Sequence, residues 1–268
     1  MTTPVQRDEF FVGYLPTMPR AIGRRTRVVA AALGLAALML AGLVGAAQSD
    51  AGGAVWDADP ATVEGLFVAR PTPMVVSETP SGLRAVLLVG AGKCGAFGGY
   101  CGPGEDWRGV AEAFAGKMVR ASGTLLHRGD HAMLELDTGP RAVAVMEDGE
   151  RRDRIELSMM AARKGSSVIE TVVGELVDAK CYLGAMKPGT GKVHRACAIR
   201  CIEGGIPAMI VDARPDGTVR GILLVGADGR SPMPSEIRDL VGDAVSVSGP
   251  VGWIADLGLV SSSAIRRR

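Results

Sequence analysis

Hydrophobic positions change their rhythm once along the chain, and that change divides it. Residues 28–47, VVAAALGLAALMLAGLVGAA, carry no charge, and a run of about 20 apolar residues is what a helix needs to cross the hydrocarbon layer. The pattern predicts a transmembrane helix over 28–47. Beyond it the apolar residues come in short β-branched runs, among them VVGELV, AMIV, GILLV and AVSVSGPV, separated by Gly, Pro and Asp. That rhythm predicts strands. Asp216-Gly217 reads as a hairpin turn, and 236–241 as a short helix stopped at Gly242.

Charge orients the apolar helix. Arg20, Arg24, Arg25 and Arg27 crowd its N-terminal side, while Asp50, Asp57 and Asp59 follow it. Basic residues stay in the cytoplasm, so 1–27 is expected to be cytoplasmic, with the C-terminal domains in the periplasm or outside the cell. A cleaved signal peptide is the competing reading, since Gly45, Ala46 and Ala47 suit a signal peptidase. The run exceeds the roughly 7 to 15 residues of a signal h-region, which favours an anchor in the inner membrane. Phe10, Phe11 and Tyr14 cluster ahead of it, either as a docking segment or as aromatics of the membrane interface.

The exported part compares with itself. Residues 63–70 (VEGLFVAR) align with 173–180 (VGELVDAK), 84–91 (RAVLLVGA) with 220–227 (RGILLVGA), and 115–123 (AGKMVRASG) with 241–249 (VGDAVSVSG). Matches in one order indicate an internal duplication. Each copy reads as strand, strand, short helix, then two strands. A small sheet that closes on itself removes its exposed edges, so the expected fold is mainly β, with two tandem OB-like small β-barrels after the transmembrane helix. A pair of open sheets is the alternative. The expected boundaries are a linker at 48–60, a first barrel at 61–150, a linker at 151–171 and a second barrel at 172–268. Many OB folds bind single-stranded nucleic acid through basic grooves and stacked aromatics. With 4% aromatic residues and a formal net charge of +1, no nucleic acid is expected as a partner.

The copies differ where the chemistry lies. The second carries a Cys/His-bearing helical insert, 181–207, which begins at Cys181 where the alignment gives the first copy Pro71; Asp178 stands opposite Val68. The first copy instead has KCGAFGGYCG, in which Cys94 and Cys101 flank a glycine-rich turn. A local disulfide is the leading reading there, against a metal or thiol role. Residues 193–203 read as a helix ended by Gly204-Gly205, with His194, Cys197 and Cys201 within about 60° of one another around its axis. His194 and Cys201 lie about 10.5 Å apart along such a helix, too far to share one ion. Adjacent pairs remain, His194 with Cys197 or Cys197 with Cys201, each with Cys181 approaching from the preceding loop, and soft thiolates with an imidazole suit Zn or Cu(I).

Three readings of this cluster stay open. One is a disulfide from Cys181 to Cys197 or Cys201, another is metal or cofactor ligation, and the third is a redox-active thiol. Asp178 either orients His194 or caps backbone donors of the loop. Tyr182 reads as packing and Lys187-Pro188-Gly189 as a turn. His127 and His131, flanking Asp130, read as solvent-exposed. No C-x-x-C-H occurs, so covalent haem attachment has no support. Nor is a serine triad, phosphate loop or nucleotide fingerprint visible.

Asp178-x-x-Cys181-Tyr182, His194-x-x-Cys197-x-x-x-Cys201, Gly205-x-Pro207 and the GDAVSVSGPV strand resemble a family of exported bacterial OB-like domains. The resemblance covers about 172–266 and implies an accessory or cofactor-handling module. The reading that follows is a membrane-anchored periplasmic accessory module that serves a respiratory or metalloenzyme complex. It would bind a metal or cofactor, or present a redox thiol. The alternatives are a disulfide-stapled docking subunit and a thiol oxidoreductase.

Overall fold

The computed structural model describes residues 20–49, 53–99, 101, 107–139, 141–163, 168–213, 219–232, 234–261 and 264–268. The Asp216-Gly217 turn signal and the Phe10, Phe11 and Tyr14 cluster lie outside these. Two compact units result, 1–50 and 51–268. The first contributes helix α1, Arg20–Ser49, whose stretch Ile22–Ala46 is long and apolar enough to cross a membrane or to act as a signal sequence. It starts earlier than the apolar run because the arginines preceding that run are good helix formers.

The second unit contains two closed barrels of the same topology. The first is built from β1 (Val55–Val68), β2 (Met74–Thr79), β3 (Gly82–Val89), helix α2 (Trp107–Phe114), β4 (Met118–Arg128), β5 (His131–Leu136) and β6 (Val143–Val145). Helix α3 (Gly149–Arg163) leads to the second, made of β7 (Val168–Asp178), helix α4 (Arg195–Glu203), β8 (Ala208–Ala213), β9 (Val219–Val225), the short α5 (Pro234–Ile237), β10 (Ala244–Ile254), β11 (Leu257–Ser261) and β12 (Ile265–Arg267). The orders β1-β2-β3-β5-β4 and β7-β8-β9-β11-β10 are closed by β1–β4 and β7–β10, with β6 and β12 added on β4 and β10. Each copy therefore has three strands before its short helix and a sixth strand after the closing pair, rather than the two-plus-two pattern expected. The barrel runs from β1, inside the expected linker 48–60.

Register corrects one block of the sequence alignment. Val68 pairs with Met74 and Val177 with Met209, while Gly65 pairs with Val119 and Gly174 with Val245. The first block thus shifts by one residue, matching Gly65 to Gly174, Phe67 to Leu176 and Ala69 to Asp178. A one-residue slip would exchange the two faces of a strand, and the packing supports the shift. Phe67 lies in the core of the first barrel and Leu176 in that of the second.

Both faces of several strands are buried. In β3, Val86 and Leu88 fill the first barrel, while Ala85, Leu87 and Val89 join a separate cluster. In β9, Ile222 and Leu224 fill the second barrel, whereas Leu223 enters that same separate cluster with Val177 and Met209. This third core is the seam between the barrels. A strand buried on both faces reads as a continuous apolar run, which is why LLV recurs in both copies. Ile155 and Met159, one helical turn apart in α3, add to the seam, so the expected linker 151–171 is a packed helix followed by the start of β7. Its polar composition hid it, because only one narrow stripe is buried.

His131 is half-buried rather than solvent-exposed. Its Nε2 accepts the backbone N–H of Gly221 across the seam at 3.1 Å. Burial pushes its pKa below 6.5, against the opposing pull of Asp256 and Asp130.

A Cβ on Gly65 would lie 2.1 Å from the carbonyl oxygen of Val76, and one on Gly174 2.2 Å from that of Val211. Gly65→Ala and Gly174→Ala should each cost about 2 kcal/mol by overpacking, read from denaturant midpoints; a change within 0.5 kcal/mol, roughly the surface-substitution range, would refute the register. For His131 the neutral form is the one folded. The unfolded chain therefore takes up its proton first, so this contribution is complete above pH 6.5 and is lost as pH falls below it. Thermal unfolding should drop more steeply between pH 7.5 and 5.5 (on the order of one proton's linkage) for the wild type than for His131→Gln, whose amide oxygen accepts the same bond without titrating.

Candidate metal centre

The insert begins where β7 ends. Asp178 is the last residue of that strand, and its Oδ1 accepts the backbone N–H of Cys181 at 2.8 Å, holding the chain as it turns through Cys181–Ala185. The Asp178 Oδ2 lies 3.1 Å from His194 Nε2. One carboxylate thus does both jobs considered for it, capping the loop and orienting the imidazole. Asp178 and His194 are buried, at 0% and 5% exposure.

Helix α4 starts at Arg195, so His194 sits at its N-cap instead of on its thiol-bearing face. Its side chain makes no capping bond and turns to Asp178. Cys197 and Cys201, one turn apart, stay together. Gly204 N–H closes the helix on the carbonyls of Arg200 and Cys201, and Ile206 N–H returns to Cys201 O at 3.0 Å. Ala198 and Ile202 anchor α4 on the second barrel, while Cys201 faces the seam.

The five donors therefore fall into two triples that share Cys181. Cys181, Cys197 and Cys201 form one, and Asp178, Cys181 and His194 the other, with the donor atoms in each within 4.8 Å of one another. Of the two pairings expected beside Cys181, that of Cys197 with Cys201 is present, while His194 meets Cys181 rather than Cys197. Cys181, Cys197 and Cys201 are free thiols, so the disulfide reading of this cluster is not what the fold contains. Cys181 and Cys201 are buried, while Cys197 is half-buried. The Sγ atoms of Cys181 and Cys201 stand 3.8 Å apart. Two sulfurs each about 2.3 Å from one ion at a tetrahedral angle are separated by about the same distance. A disulfide would need about 2.05 Å.

The thiols are electrostatically unlike. The bond from Cys181 pulls the Cys201 pKa down, and the nearby Lys93 ammonium acts in the same direction. Cys181 moves far up, because it keeps the proton it shares with Cys201, is buried and faces Asp178. Lys93 Nζ lies 2.8 Å from Cys197 Sγ and 3.9 Å from Cys201 Sγ; the contact with Cys197 raises the lysine's pKa.

Lys93 belongs to the first barrel, in the loop after β3. Cys94 and Cys101 of that loop form a disulfide. Lys180, 2% exposed, donates to the carbonyls of Gly90 and Gly92 at 2.8 and 2.7 Å and pairs with Glu135. Neither lysine stands out in the sequence. The available signal was position, since each immediately precedes a cysteine. Tyr182 packs as expected, its ring 4.4 Å beneath the Arg128 guanidinium. Gly189 of the Lys187-Pro188-Gly189 turn lies against the Cys181 carbonyl, where a Cβ would come within 2.4 Å.

No protein-family model and no curated protein matches the chain. Among solved structures, a HINa domain in complex with dsDNA is similar at 10% identity and a TM-score of 0.23, over 80% of this chain and 98% of that one. A tetrameric HIN2 domain is similar at 8% identity and a TM-score of 0.23, over 81% and 97%. Likeness of that size carries no argument about this chain.

Proposed function

We propose that this chain is a membrane-tethered accessory module that holds one thiophilic ion, Zn(II) or Cu(I), through Cys181, Cys197 and Cys201. The 3.8 Å separation of two unoxidised, buried sulfurs carries the reading. Thiolates are the ligands that select such ions. Asp178 and His194 fix the turn that presents Cys181, a supporting role that also places an imidazole beside the ion. When bound, the ion would supply Lewis acidity or be handed onward. The protein's own groups bind it, exclude water on the buried side and leave Cys197 toward solvent.

The arginines in the first turns of α1, ahead of its apolar run, and the oxidised Cys94–Cys101 pair support an exported location for the barrels, since disulfides persist outside the cytoplasm. A periplasmic respiratory or metalloenzyme complex is the class of partner that this placement suits. A disulfide-stapled docking subunit would leave three clustered thiols without a purpose. The second reading with an observation behind it is a redox thiol, favoured by the half-buried Cys197 beside an ammonium.

Residues 51–268 form a compact unit with three buried cores of their own and can be assayed directly. Purified from an oxidising compartment without chelator, this fragment should carry near-stoichiometric metal and, after chelation, release three titratable thiols. Cys181→Ser and Cys201→Ser should abolish retention of the ion. His194→Ala should weaken it about tenfold, as for groups that orient a ligand. Metal-free protein with three reactive thiols would sink the metal reading and favour the redox one; a single, unreactive free thiol would sink both.

A further inference from the structure

We propose that Lys93 is the counter-cation of the thiolate site, so that the first barrel completes a centre begun by the insert of the second. This rests on the metal reading given above and adds to it a residue from the other half of the duplication.

Charge gives the reason for such a residue. Three thiolates around a divalent ion leave one negative charge, and around a monovalent ion two. Excess charge beside a buried cluster is costly unless a cation stands against it. Lys93 Nζ is 2.8 Å from Cys197 Sγ and 3.9 Å from Cys201 Sγ, close enough to donate to one sulfur and to act on the next. Its hydrogen-bond partners among the described residues are these thiols, not a carboxylate. It also stands at the half-buried member of the three, where the cluster opens to solvent.

The backbone around Lys93 is fixed at several independent points, as a positioned side chain requires. The Cys94–Cys101 disulfide closes the loop beside it. Gly90 N–H bonds to Cys94 O at 3.0 Å, and Gly95 N–H bonds to Gly204 O at 2.8 Å. The carbonyl of Lys93 itself lies so near Gly204 that a Cβ there would come within 2.0 Å of it. Gly204 caps the helix that carries Cys197 and Cys201. From below, the buried Lys180 ties down the carbonyls of Gly90 and Gly92. The glycine-rich embellishment of the first copy thereby acquires a purpose: it delivers one ammonium across the seam. The competing account is an ordinary surface lysine resting near two thiols, and it predicts that substitution is silent.

The full chain, purified in detergent from an oxidising compartment so that the Cys94–Cys101 disulfide stays intact and stripped of metal under inert gas without added thiol, is titrated with Zn(II) against a chromogenic chelator and, in parallel, with Co(II) as a spectroscopic probe. Lys93→Met, Lys93→Glu and Lys93→Arg are compared with the wild type, together with thermal unfolding of each metal-free protein. Lys93→Met should weaken Zn(II) about tenfold, the usual scale for losing a hydrogen bond to a charged group. Lys93→Glu should weaken it further, and Lys93→Arg should restore most of the affinity. The sulfur-to-cobalt charge-transfer band should persist throughout, with metal-free unfolding unchanged. Wild-type affinity in both Lys93→Met and Lys93→Glu would overturn the role of Lys93 while leaving the metal site standing. Loss in Lys93→Arg equal to that in Lys93→Met, with earlier metal-free unfolding in both, would show a packing role and overturn it too. A wild type that binds neither ion removes the site and this inference together.

Discussion

Mutual burial of the outer faces of two small barrels is the constraint on which the rest of this structure depends. A five-stranded barrel of this size fills its interior with few side chains, and each barrel here has its own modest core. The seam supplies a third, with Leu66, Met74, Leu87 and Met133 from one side and Val177, Met209, Leu223 and Leu257 from the other. At roughly 1.5 to 3 kcal/mol for each fully buried large aliphatic side chain, that seam matters as much as either interior. It also brings the β3–α2 loop of one copy against α4 of the other.

The thiol cluster stands at the edge of that seam, and its geometry follows from the seam's closure. Cys181 and Cys201 are counted among the seam's buried residues, which keeps water from one side of the sulfurs. Cys197 remains half-buried. Among the described residues, the polar connections across the join include Gly95 to Gly204, Lys180 to Gly90 and Gly92, Lys93 to Cys197, Ala85 to Asp256, Arg128 to Tyr182 and Gly221 to His131. Several involve glycine because two backbones, or a backbone and an imidazole, approach more closely than a Cβ allows. Gly221, for example, would place a Cβ 2.8 Å from His131 Nε2.

Duplication followed by divergence explains the asymmetry. Both copies keep the same strand order and the same short helix before the fourth strand. The second then adds the turn and helix carrying Cys181, His194, Cys197 and Cys201, while the first adds a disulfide-closed loop carrying Lys93. Ala69 of the first copy stands where the second has Asp178, so the carboxylate that organises the insert has no counterpart. The two embellishments meet each other, and neither copy is only a support for the other.

The sequence by itself determined the apolar N-terminal helix, the repeated barrel and the identity of the thiols, because each is written in local pattern. A long uncharged run, alternating β-branched segments and the spacing of Cys197 and Cys201 along one helix need no knowledge of distant residues. Tertiary structure decided the rest. The partner of His194 is Asp178, sixteen positions away at the end of a strand, a role the sequence offered only beside capping, and helical spacing put His194 with Cys197 because the helix begins two residues later than its propensities suggest. His131 is half-buried only because the second barrel covers it, and α3 is packed through a two-residue stripe that composition conceals. Lys93 and Cys197 are 104 positions apart. Nothing local relates them; they meet because the outer faces of two barrels, each apolar in its own strands, exclude water from the space between.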